Sequence, residues 1–144
     1  MNITPIHKDQ LTDVWPLTKP ILARAIARYP RLYDLTLLEE ELLEGEVQLW
    51  IVSTEVDSIL AACITSVVEH DTGAKDCEVL LLAGAGVFAW MPLMQDKVET
   101  YAIEQGCTML ITRGRKGWER IGKQYGMKFH SVVLCKELGT HHGK

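Results

Sequence analysis

Residues 77–83 read CEVLLLA, and Gly84-Ala85-Gly86 follows. Seven residues with one charge among them predict a buried strand, Cys77–Ala83. A helical pattern then runs from about Pro92 to Gln105 and is closed by Gly106. Thr108–Thr112 (TMLIT) is a second apolar strand. A loop rich in Gly and Arg follows (RGRKGW), then a short helix to Gly126, then a final strand, Met127–Lys136. A strand that feeds a helix N-terminus through glycines is suited to an anionic group. The free backbone N–H groups and the helix dipole point at it together.

Upstream, Ile3–Ile6 reads as a short first strand or an extended lead-in. Thr12 or Asp13 is placed to cap a helix with apolar positions at Trp15, Leu17, Ile21, Leu22, Ala25 and Ile26. Pro16 suits its first turn, Pro20 predicts a kink or restart, and Pro30 ends the segment. Leu35–Leu43 (LTLLEEELL) is a second helix with Glu39, Glu40, Glu41 and Glu44 on its outer face. Val47–Thr54 and Ser58–Glu69 are strands joined by a turn at Glu55-Val56-Asp57. His70–Asp76 is a polar hairpin tip with Gly73. Helices, then an antiparallel meander, then helix, strand, helix and strand predict an α/β class with a central mixed sheet.

The chain has 144 residues, 47% of them apolar, and a formal net charge of −4. That suits one domain with a full core. The acidic balance argues against a nucleic-acid partner, which favours a basic footprint. No apolar run is long enough for a bilayer, and the N-terminus lacks the pattern of a secretory signal, so no membrane role and a cytoplasmic location are expected. Cys63, Cys77, Cys107 and Cys135 form no CxxC pair and read as buried reduced thiols, with no metal site. His141-His142 belongs to a polar tail, residues 139–144, expected to be disordered.

The order of elements resembles the GNAT superfamily of N-acyltransferases, over about Ile3 to Leu138. The block GRKGWERIGKQYGM, after YAIEQGCTMLITRG, is similar to GNAT-like proteins of tailed bacteriophages and prophages. The matching positions are Gly114, Arg115, Gly117, Trp118, Gly126 and Lys136-Glu137-Leu138. The resemblance implies a GNAT-like fold in a single domain, 1–138, with a mixed, mostly antiparallel sheet flanked by helices. It also implies acetyl-CoA or another acyl-CoA as cofactor and an amine as acceptor. A phage origin would place the chain in host cytoplasm or with the virion.

In the family pattern, Ala102 and Gly106 fix the helix, and the cofactor motif [Q/R]-x-x-G-x-[G/A] falls on Gly86-Val87-Phe88-Ala89-Trp90-Met91. Gly86 stands where Arg or Gln is usual, Ala89 where Gly is, and Met91 where Gly or Ala is. An alternative register uses Gly84-Ala85-Gly86 and needs a longer helix. The Tyr that many members use as general acid would fall at Gly122, with Tyr125 nearby. Glu78 is the candidate general base, because an attacking amine must be neutral; Glu69 and His70 are others. His130 in the final strand reads as structural.

Arg113, Arg115, Lys116, Arg120 and Lys123 make a local positive feature. It reads as a solvated helix face pairing with the acidic helix around Glu39–Glu44, as a phosphate contact through Arg113 and Arg115, or as a protein-docking anchor at Arg115 and Trp118. Two functions stay open: an acyl-CoA-dependent N-acyltransferase, or a catalytically silent binding or virion-associated protein with no cofactor. A homodimer through the apolar final strand is a further expectation.

Overall fold

A computed structural model describes residues 1–28, 31–55, 58–113, 117–131 and 133–139. They fall into two compact units, 1–113 and 114–144. Pro30, Val56-Asp57, Arg115, Lys116 and the His141-His142 tail lie outside the described residues.

The first unit holds a five-stranded sheet in the order β1 (Asn2–Ile6), β2 (Gln48–Glu55), β3 (Ser58–Glu69), β4 (Lys75–Gly84) and β5 (Met109–Thr112). The first three pairings are antiparallel and β4–β5 is parallel. The mixed, mostly antiparallel α/β sheet expected from the sequence is therefore present. Pro5 lies in the edge strand β1, opposite Trp50, where its missing N–H breaks no inner ladder.

Helices cover both faces. On one face, α1 (Leu11–Ile26) contributes Leu11, Trp15 and Leu22, and α2 (Leu35–Glu44) contributes Leu38 and Leu42. They pack on Leu49, Ile51, Ala62, Ile64 and Leu81. On the other face, α3 (Val87–Glu104) buries Trp90, Met94, Val98 and Ala102, one residue per turn. These meet Ile3, Trp50, Val52, Ala61, Cys63 and Cys77. Alternate residues of each strand thus serve opposite cores.

Local chemistry explains the ends. Asp34 caps α2 by accepting from the Leu37 N–H at 3.0 Å, and Gly45 closes it in the left-handed region. α1 begins at Leu11, ahead of Thr12 and Asp13, after a 3-10 turn capped by His7. It passes Pro20 without a restart. Thr18, wholly buried, returns its hydroxyl to the Val14 carbonyl at 2.8 Å. Leu17, expected on the apolar face, is half exposed.

The second unit contains α4 (Gly117–Lys123) and a turn ending at Gly126. The strand expected at 127–136 is not formed by the described residues there, which carry no regular secondary structure. His130 lies in that segment and is exposed. Cys63, Cys77 and Cys107 are buried as expected, whereas Cys135 is exposed. Among the described residues no helix is long and apolar enough to cross a membrane.

Candidate functional site

β4 and β5 run together only from Asp76↔Met109 to Val79↔Thr112. β4 then continues to Gly84 with, among the described residues, a strand neighbour only on its β3 side. The sheet therefore splits along residues 80–84. Leu80 marks the start of the split. Val79 pairs with Thr65 and Leu81 with Ile64, so Leu80 is an extra residue, a β-bulge. The Tyr33 hydroxyl donates to the Leu80 carbonyl at 3.2 Å. No sequence signal marked Tyr33, because its partner lies 47 residues away.

The split ends at a tight turn. Gly84 has φ 130°, and a Cβ there would come within 2.5 Å of Ala61 and of the Leu60 carbonyl. Only glycine lets β4 pass so close to β3. Gly86 has φ 70° and is the N-cap of α3. The position that the family pattern fills with Arg or Gln is thus in the left-handed region here. α3 begins at Val87, five residues before Pro92, so the longer helix required by the Gly84-Ala85-Gly86 register exists. Pro92 stands inside the helix, although proline most often marks a first turn.

Gly86, Val87, Phe88, Ala89, Trp90 and Met91 thus form the N-cap and the opening of α3. The first turn of a helix presents backbone N–H groups without intrahelical acceptors. Phe88 and Ala89 are exposed, and Val87 and Met91 are half-buried. Trp90 is turned inward, 1% exposed, and its Nε1–H donates to the Ala85 carbonyl at 2.7 Å. Its side chain belongs to the α3 core and braces the turn from beneath.

Glu78 lies on β4 before the bulge. Its neighbours Cys77 and Val79 belong to the α3 face, which places Glu78 on the α1–α2 face. Its Oε1 accepts from the Arg113 guanidinium, which sits just past the end of β5. The side chains are 14% and 66% exposed, respectively. Arg113 is thus engaged with the candidate base rather than with the α3 turn. Arg115 lies outside the described residues, and Trp118 falls within α4.

Other candidates are placed apart. His70 Nε2 lies 2.6 Å from Asp76 Oδ2, at the opposite end of β4 from the glycine turn. Asp76 is buried there, so the pair fastens the hairpin. In the second unit, a Cβ on Gly122 would lie 3.1 Å from the Met127 side chain. A side chain at that position would press on Met127, which would have to give by a few tenths of an ångström. Tyr125 lies in the following turn, its N–H bonded to the Gly122 carbonyl at 2.9 Å. Among the described residues no group of three or more His, Cys, Asp or Glu is arranged to hold a metal ion.

Among the described residues, the first unit thus joins a strand edge without a strand neighbour, a helix N-terminus, and a carboxylate–guanidinium pair. No family model and no curated protein sequence matches the chain. Solved structures do match it in fold. A probable acetyltransferase superposes with a TM-score of 0.72 at 13% identity, covering 99% of each chain. An aminoglycoside acetyltransferase from an uncultured soil metagenomic sample gives 0.68 at 13% identity, over 96% of each. A predicted acetyltransferase from Clostridium acetobutylicum, solved with acetyl-CoA, gives 0.66 at 14% identity, over 98% of each. The chain has the fold of these acetyltransferases.

Proposed function

We propose that this chain transfers an acyl group from acyl-coenzyme A to an amine. The observation that carries the reading is the split of β4 from β5, which leads from Glu78 to the N-terminus of α3. The edge that has no strand neighbour among the described residues spans 80–84, roughly 13 Å of strand. Such an edge can pair with the amides of an extended ligand arm. The backbone N–H groups of Gly86, Val87 and Phe88, which open the segment Gly86–Met91 ahead of the first intrahelical bonds, would receive the phosphates. Glu78 would take a proton from the amine. The shared fold with acetyltransferases, one of them solved with acetyl-CoA, supports this choice of acyl donor.

The finer assignment, a phage-type homologue located in host cytoplasm or on the virion, is supported by the sequence block from Gly114 to Trp118 and by Lys136-Glu137-Leu138. A docking role for an Arg115–Trp118 surface and a homodimer belong to the same proposal.

A catalytically silent binding protein is the second reading. It is favoured by the glycine at position 86, which supplies no cation for a phosphate, and by the engagement of Glu78 with Arg113. Isothermal titration with acetyl-CoA and with CoA separates the two. Micromolar binding supports the acyltransferase. Absence of binding at millimolar ligand supports the silent protein.

A further inference from the structure

Glu78 and Arg113 form an ion pair beside the bulge, at the point where β5 ends and the split begins. We propose that the acceptor is an amino acid, or another small molecule with a carboxylate next to its amine. It would bind by exchanging the Glu78–Arg113 pair for two new ones, its ammonium on Glu78 and its carboxylate on Arg113. This rests on the acyltransferase reading above and names its substrate class.

The argument is one of charge. Glu78 is largely buried at 14% exposure, and a carboxylate so placed needs a partner. A plain amine that took Glu78 would displace Arg113 into solvent and make no use of it. An acceptor that brings its own carboxylate keeps Glu78 partnered and gains a second charge-assisted contact on Arg113. The planar guanidinium also suits bidentate binding of a carboxylate. Arg113 is 66% exposed, which gives it room to turn from Glu78 toward an incoming group. Both residues share one face: Glu78 pairs with Ile111, and Arg113 follows two residues on. The Leu80 carbonyl, held by Tyr33, lies two residues along the same strand.

The chemistry balances. The ammonium gives one proton to Glu78, and the neutral amine forms an N–C bond to the thioester carbon as the C–S bond breaks. The second amine proton ends on the departing thiolate, and Glu78 returns its proton to solvent.

The test uses the full chain with acetyl-CoA and follows thiol release. Acceptors are matched pairs such as phenylalanine with phenethylamine, lysine with cadaverine, and methionine with 3-(methylthio)propylamine. At least one amino acid is expected to exceed its decarboxylated partner in kcat/KM by about tenfold or more. Arg113→Gln should bring that ratio close to unity through KM, and Arg113→Lys should restore part of it. Equal or faster turnover of the amines overturns the proposal, as does acetyl-CoA binding without turnover of any amino acid. So does an Arg113→Gln variant that leaves the ratio intact. Failure to bind acetyl-CoA by calorimetry overturns the acyltransferase reading itself, so the two failures are distinguishable.

Discussion

The indole N–H of Trp90 reaches back five residues to the carbonyl of Ala85, at 2.7 Å. One side chain thereby ties the core under α3 to the turn that precedes it. Trp90→Phe keeps most of the ring volume but loses this bond. It should destabilise the protein by about 2 kcal/mol, and Trp90→Ala by about 3–5 kcal/mol. Urea denaturation gives both values. If acetyl-CoA binds at the turn, its affinity should fall in Trp90→Phe as well.

The two glycines of the turn should differ in cost. Gly86→Ala meets only the Leu60 side chain at 3.8 Å, so it incurs backbone strain alone, about 1–2 kcal/mol. Gly84→Ala adds a clash with the backbone and side chain of β3 at 2.5 Å. Its cost should reach about 3–4 kcal/mol. Thermal melts of the two variants side by side check the ranking.

Tyr33→Phe removes the hydroxyl that holds the Leu80 carbonyl. A loss of about 1 kcal/mol is expected in the urea midpoint. The larger effect should be local, with faster amide hydrogen exchange along β4 around residue 80 than elsewhere in the strand.

The thiols should divide three to one. Burial pushes the Cys63 and Cys107 thiols up, and it pushes Cys77 from its ordinary 9.0 to about 11. Cys135 is exposed. A disulfide reagent should label Cys135 in the native protein and the other three only on unfolding. The same shifts set the alkaline limit. A thiol whose folded pKa is raised is fully stabilising below its unfolded value. That contribution is lost as pH climbs, for Cys77 between 9.0 and about 11. Unfolding midpoints should fall across that window, and Cys77→Ala should flatten the slope.

Much of the fold was written locally. The strand Ser58–Glu69 has the bounds its β-rich run predicts, and α2 follows from its cap, its leucine spacing and its closing glycine. The start of α3 differs from the sequence expectation because Pro92 carries the signature of a first turn while standing inside the helix. The run at 127–136 has strand composition, yet composition provides no partner. For the site, Glu78 and the glycine turn were visible as residue types in context. The Glu78–Arg113 pairing was not, because the register of parallel strands is set by packing between segments 35 residues apart. Tyr33 was hidden for the same reason.

Leu80 has a further consequence. One extra residue changes the phase of β4. Glu78 and Leu81, which an unbroken strand would point to opposite sides, both face α1 and α2. The strand is in effect two reading frames joined at a single residue. The frame before the join sets out a charged pair, and the frame after it fills a core. Deleting Leu80 would merge the frames. Either Glu78 would then turn toward the α3 core, or Leu81 would leave the cluster it now completes.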